Sequence, residues 1–159
     1  MKNDLTETVF GKDLDRTFTL AEALDLLSSH NLIDVGELAE RAISKKSGVA
    51  QCGKNTPGID LVNGMQIKHA QTNPGNKTYE KRLVAWCSIK NTDAPILLVV
   101  TERLTKKQYF FYVPYDAYKY VNANTFGIPF DPSGNPIESN HWWDHQVGSF
   151  NELCKLAKA

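Results

Sequence analysis

The amino-acid sequence predicts an α/β fold with a mixed sheet, and three observations carry that prediction. Two capped helical patterns stand in the first third of the chain. The run Pro95-Ile-Leu-Leu-Val-Val100 has the length and β-branched content of one buried strand, and the aromatic run Gln108–Val113 follows it at hairpin distance. Between helices and strands, Asn63-Gly64 separates two short extended arms, a strong turn signal.

Taken in order, Thr19-Leu-Ala-Glu22 has capping-box spacing, with Leu20, Ala23, Leu24 and Leu27 at helical intervals behind it. Asp34-Val-Gly-Glu37 repeats the device, Leu38, Ala39, Ala42 and Ile43 form an apolar face, and Ser47-Gly48 stops the helix. Val49–Cys52 is a short extended piece. Gly58–Val62 and Met65–Ala70 are the arms about Asn63-Gly64; in the second, Met65, Ile67 and His69 point one way and Gln66, Lys68 and Ala70 the other. Gln71–Lys77 is polar, contains Pro74-Gly75 and reads as a loop. Thr78–Lys90 carries Leu83, Trp86 and Cys87 at helical spacing and reads as a helix, with a strand as the alternative. Ile96–Thr101 is a buried strand paired with Gln108–Val113, and Pro114 opens a short helix over Tyr115–Val121. Residues 122–148, rich in Asn, Pro and Gly, read as irregular, and Ser149-Phe-Asn-Glu152 caps a last helix. No repeat or linker interrupts the 159 residues, which fit one domain with its core at about 34–113.

Composition narrows the function classes. Eighteen Lys and Arg balance eighteen Asp and Glu, so there is no broad cationic field, and a nucleic-acid partner has to be met by a local basic patch. Cys52, Cys87 and Cys154 are odd in number and far apart, which argues against a disulfide framework or a zinc knuckle and for reduced thiols. Met1–Phe10 lacks a signal-peptide pattern, and no apolar run approaches the roughly 20 residues that span a bilayer, so a cytoplasmic location is expected.

The chemistry concentrates around Asp60, Gln66 and Lys68. A strictly regular two-residue hairpin opposes Val62 to Met65 and Asp60 to Ile67, which leaves Asp60 across the sheet from Lys68. A bulge, a twist or a longer loop that shifts register by one unites them, and such an irregularity is the prediction. United, the Asp60 carboxylate, the Gln66 side-chain carbonyl and the Ile67 backbone carbonyl offer oxygens to a hard divalent cation. That cation polarises a phosphate and acidifies a bound water, while Lys68 orients the water or stabilises charge developing on phosphorus. Glu40, mid-helix, is placed to bind the metal directly or through water. Singly, each residue has an ordinary reading: Asp60 as a turn former, Lys68 as a solvated edge charge, Gln66 as a solvent-face polar group. Their joint spacing carries the functional one.

Pro57-Gly58-Ile59-Asp60 followed by Gln66-Ile67-Lys68, within an order of helix, three strands, helix and strand, resembles the PD-(D/E)XK nuclease superfamily. The resemblance covers roughly residues 34–101 and implies a restriction-endonuclease-like core, a mixed central sheet flanked by helices. It places Asp60 on the metal-binding aspartate, Lys68 on the catalytic lysine and Glu40 on the helix acid of many members. Gln66 stands where most members have Asp or Glu, leaving one carboxylate fewer. The implied activity is endonucleolytic hydrolysis of DNA, of restriction or homing type, with Mg2+ or Mn2+, on a duplex and by a homodimer. An RNA-cleaving toxin on the same core and a non-catalytic immunity or inhibitor protein are the alternatives.

Phosphate and base contacts are expected from Lys45, Lys46 and Lys54 beside the site, from His69 on the second arm, and from Gln71, Asn73 and Lys77 in the segment after it, where Asn and Gln can read adenine. Lys81, Arg82, Arg103, Lys106 and Lys107 are further basic candidates. His141-Trp-Trp-Asp-His145 has an i, i+4 histidine pair but no convincing third ligand, so packing or base stacking is favoured over zinc. Cys52 has no evident activating partner.

Overall fold

A computed structural model describes residues 20–29, 33–53, 56–74 and 82–159; Lys54, Lys77 and Lys81 lie outside the described residues. The chain divides into two units, 1–38 and 39–159. The first holds α1 (Leu20–Ser29) and the opening turn of α2 (Val35–Ser47). Asp34 caps α2 as its spacing predicts, its Oδ1 accepting the Glu37 N–H at 3.2 Å. In the second unit α2 ends at Gly48, whose φ of +75° is the left-handed geometry that stops a helix.

The second unit is built on a curled, mixed sheet of six strands in the order β5-β2-β1-β3-β4-β6. These are β1 (Gln66–Pro74), β2 (Leu83–Ser88), β3 (Ile96–Thr101), β4 (Gln108–Val113), β5 (Thr125–Phe130) and β6 (Gln146–Val147). Strands β1 and β3 are parallel, and every other neighbouring pair is antiparallel. Few helices accompany it: a short α3 (Tyr115–Tyr118), a 3-10 turn (His141–His145) and α4 (Phe150–Leu156). Ser149 caps α4, its Oγ accepting the Glu152 N–H at 3.2 Å while the Glu152 carboxylate accepts the Gly148 N–H at 3.1 Å.

Strand β3 separates two cores. Ile96, Leu98 and Val100 face Ala70, Phe111, Val113 and the aromatic cluster, whereas Leu97 and Val99 face Ile67, Ile43 of α2 and Leu153 of α4. Burial on both faces is why this strand reads as an unbroken apolar run. Trp143 centres the first core, with ring centroids 5.3 Å from Tyr109, 5.1 Å from Phe111 and 5.2 Å from Phe130, and its indole N–H donates to the Pro129 carbonyl. The His-Trp-Trp-Asp-His segment is therefore packing. Its 3-10 geometry also spoils the i, i+4 alignment of its histidines that an α-helix would give.

Three expectations are corrected. Residues 83–88 form a strand: Ala85 and Cys87 are buried while Trp86 and Ser88 are exposed, a period of two. The helical spacing of Leu83, Trp86 and Cys87 arises because this strand carries apolar side chains on both faces. Residues 71–74, expected as loop, continue β1 and pair with β2 through Thr72, Asn73 and Pro74. Within 122–148, expected to be irregular, β5 pairs with β2 along its whole length. Pro129 is tolerated there because β5 is an edge of the sheet and loses no inner ladder bond. Among the described residues, β1, β2, β3 and β4 thus follow one another without a helix, where the resemblance places one before the last core strand. Among the described residues, no helix is long and apolar enough to cross a membrane.

Candidate metal site

The turn before β1 differs from the two-residue form, and the difference builds the site. Asn63 does not take a positive φ, while Gly64 does at +90°, so the type I′ turn, which needs both, is not formed. The Gly64 N–H donates to the Leu61 carbonyl at 2.9 Å, and the Leu61 and Asp60 N–H groups both donate to the Met65 carbonyl, at 3.0 and 2.8 Å. This is a three-residue loop with a left-handed glycine and a bulge. It opposes Leu61 rather than Val62 to Met65, a shift of one residue, and puts Asp60 on the side of Gln66 and Lys68. Asn63 is held in place by its amide, which donates to the Ala157 carbonyl of the α4 C-cap at 2.6 Å. Asn63→Ala is expected to cost about 1 kcal/mol for that bond and to loosen the register, read as a lower midpoint in urea unfolding.

Asp60 closes a gap in the sheet. Strand β1 pairs with β3 from Gln66 to Gln71, but with β2 only over Thr72–Pro74, so its first residues present an open edge on the β2 side. Asp60 Oδ2 accepts the Ile67 N–H at 2.7 Å and the Gln66 Nε2–H at 2.6 Å. In an extended strand a residue's N–H and carbonyl point the same way, so the Ile67 carbonyl shares this edge. Burial pushes the Asp60 carboxyl up, against the downward pull of the Ile67 N–H and the Lys68 ammonium. The same ammonium bears on Cys87 of β2, whose thiol burial pushes up to about 12, so Lys68 stands in the cleft where β1 and β2 part and Cys87 is no nucleophile.

Gln66 is the informative residue. It is 8% exposed, and its Oε1 is buried with no hydrogen-bond partner among the described residues. The amide cannot be turned over, because Oε1 would then face the Asp60 carboxylate. A buried carbonyl aimed away from its own donor, beside a carboxylate whose Oδ1 accepts no hydrogen bond among the described residues, is a pair of oxygens with capacity for a ligand.

The remaining expected residues divide. Glu40 receives Gln51 Nε2–H at 3.4 Å, and Gln51 bridges Leu61, so the helix acid reaches the turn through an intermediary. Among the described residues no three His, Cys, Asp or Glu side chains gather as a metal-binding group. Lys45 and Lys46 are exposed in the last turn of α2, and Lys46 Nζ lies 5.5 Å over the Phe150 ring of α4. His69 is on the opposite face of β1 from Lys68, its Nε2 3.0 Å from Thr101 Oγ1; Gln71, two residues on, shares its face, and Asn73 sits in the ladder opposite Val84. The sequence places His69 on the strand face away from Lys68, and Gln71 and Asn73 in a loop after it; the strand runs through all three and keeps His69 and Gln71 away from the cleft.

One functional-looking group has no sequence signal. Glu102 is fully buried, and its carboxylate accepts from Thr72 Oγ1 and the Leu104 N–H, both at 3.0 Å, and from the Thr105 N–H and Oγ1 at 2.6 and 2.7 Å. Burial alone would raise this carboxyl, yet the four donors hold it below its ordinary range. It fastens the β3–β4 turn to β1.

The chain matches no protein-family model and no curated protein.

Proposed function

We propose that the chain is a divalent-metal-dependent endonuclease hydrolysing phosphodiester bonds in duplex DNA, acting as a cytoplasmic homodimer on a core similar to the PD-(D/E)XK nucleases. The observation that carries this reading is the orphaned Gln66 carbonyl beside Asp60, at an open strand edge next to Lys68. The donor set suits a hard cation: the Asp60 carboxylate, the Gln66 Oε1 and the Ile67 carbonyl are all oxygens, which Mg2+ or Mn2+ prefers, with water completing the shell. Glu40 adds a water-mediated contact in this reading. A bound divalent ion supplies Lewis acidity toward the phosphate and a more acidic water. Asp60 and Gln66 would hold that ion, and Lys68 offers its ammonium to the charge that develops on the phosphoryl oxygens. Lys45, Lys46, Lys54 and Lys77 serve as backbone contacts in this reading.

Supercoiled plasmid and a labelled RNA of mixed sequence, each incubated with Mg2+ and again with EDTA, test the activity. Cutting of plasmid that needs the metal supports the reading; cutting of RNA alone moves it to the RNA-cleaving alternative. Intact plasmid and RNA across divalent ions would overturn it. The Asp60 Oδ2 already holds two donors without a metal, which favours a non-catalytic binding protein as the second reading.

Gln66→Glu separates these. It replaces a hydrogen bond by two carboxylates in contact, so the metal-free variant is expected to unfold at lower temperature than the parent. Mg2+ should restore it, with at least roughly tenfold tighter binding than the parent, seen as a larger Mg2+-dependent rise in Tm. A variant indifferent to Mg2+ would argue against a cation at this position.

A further inference from the structure

The outer face of β2 carries a feature that the candidate metal site does not use. Along this strand and its flanks Ala85, Cys87 and Ile89 are buried, while Arg82, Trp86, Ser88 and Lys90 are exposed and Val84 is half-buried. The outward set is therefore Arg82, Val84, Trp86, Ser88 and Lys90, an indole with a cation on either side and no acid among the five. Trp86 is 56% exposed, against 7% for Trp142 and 6% for Trp143, so the chain hides two of its three indoles and displays this one.

The display is built into the neighbouring strand. Trp86 pairs with Gly127 of β5, and a Cβ at 127 would fall 2.9 Å from Trp86 Cζ3 and 2.5 Å from Val84 Cγ1. Only glycine lets the indole lie on the adjoining strand, held rather than swinging in solvent. At about 3.3 Å per residue, Arg82 and Lys90 each stand roughly 13 Å along the strand from the indole. One end of the strip adjoins the loop of the candidate site along the chain, while its side chains lie on the opposite face of the sheet from Lys68. Lys90 opens the turn after β2, whose Asn91 carbonyl lies against Gly58 and whose Thr92 Oγ1 donates to the Gly58 carbonyl at 3.1 Å, two residues before Asp60. In a chain with no net charge, a local stripe of this kind is where a polyanion is met.

We propose that this face docks an unpaired nucleic-acid strand, with Trp86 stacking on one base and Arg82 and Lys90 contacting the backbone on either side. The combination of an aromatic platform with flanking cations is what sequence-tolerant single-strand binding requires. The proposal shares with the proposed function only that nucleic acid is the ligand, and it narrows that ligand to one with a single-stranded segment.

Tryptophan fluorescence tests it. Short oligo(dT) is titrated into the full chain in EDTA, with a blunt duplex of equal length as the second probe. The expected result is saturable quenching by oligo(dT) that weakens with salt. Trp86→Ala should abolish the quenching and weaken binding about tenfold, measured by anisotropy of labelled oligonucleotide, while Trp86→Phe stays within a few-fold of the parent. Arg82→Ala with Lys90→Ala should reduce the slope of log affinity against log salt by about 1.4. The proposal is overturned by unchanged affinity in Trp86→Ala, by a duplex that quenches as strongly as the single strand, or by Trp86 emission that shifts on dilution without DNA, which would mark the face as covered by a second copy. Because this titration contains no metal, quenching without cutting of either plasmid or RNA leaves this proposal and removes the nuclease; cutting without quenching does the reverse.

Discussion

Asp60→Asn and Lys68→Met are each expected to lower Mg2+-dependent cleavage by roughly a hundredfold to ten-thousandfold, the range associated with losing a positioned electrostatic or proton-transfer group. The informative companion measurement is stability. In Asp60→Asn the new side-chain carbonyl would still accept the Ile67 N–H. It can also still accept the Gln66 Nε2–H, because in the parent one oxygen, Oδ2, takes both donors. The variant thus keeps both hydrogen bonds and removes a desolvated charge. Burial raises the Asp60 carboxyl, so its ionised form is less favourable folded than unfolded; that cost is present above the raised value and is relieved as pH falls through it. Without metal, Asp60→Asn should therefore match or exceed the parent Tm at pH 7, with the gap closing on acidification. Lys68→Met keeps the aliphatic stem against the cleft and should also remain folded. Lost activity with retained stability marks a site held at the expense of the fold. An Asp60→Asn chain that melts many degrees below the parent would make Asp60 a structural cap on β1 instead.

How much of this is legible in the sequence depends on distance along the chain. The caps at Asp34 and Ser149 and the buried strand Ile96–Thr101 follow from contacts within a few residues, and each stands where the spacing puts it. The face of Asp60 is open in principle, since one residue of register decides it; what decides it is Asn63 bonding to Ala157, a contact made 94 positions away. Strand β2 reads as a helix because Trp86 faces outward over Gly127, so both faces carry apolar side chains and the alternation is hidden. Strand β5 is hidden by Pro129, which only a sheet edge permits, and edges cannot be seen in a sequence. The Glu40–Gln51 contact cannot be read from helix position, because its partner stands 11 residues further along the chain.

Glu102 is invisible for the same reason, and its replacement should have the largest effect on stability. Its donors come from its own turn and from Thr72, 30 residues earlier, which in turn accepts the Arg103 N–H at 3.0 Å. Hydrogen bonds to a charged group contribute about 1.5–3 kcal/mol each, but Leu104 and Thr105 are exposed and water can replace part of the loss. Glu102→Ala is therefore expected to cost about 3 kcal/mol, or ~6–12 °C in Tm for a chain of this size, by calorimetry. Glu102→Gln keeps two acceptor contacts and should cost about half as much. Gly134→Ala attacks the same group from outside, because a Cβ there runs into the Glu102 carboxylate and φ is +85°. The pH dependence runs opposite to that of Asp60. The folded value of Glu102 lies below its ordinary value of 4.5, so its stabilisation is complete above about that pH and is lost as pH falls through the lower folded value. The parent should lose stability across that acid window, and Glu102→Gln should lose less, so that the two melting curves converge. Parallel pH profiles for parent and Gln variant would show that the carboxylate carries no charge-dependent share of the fold.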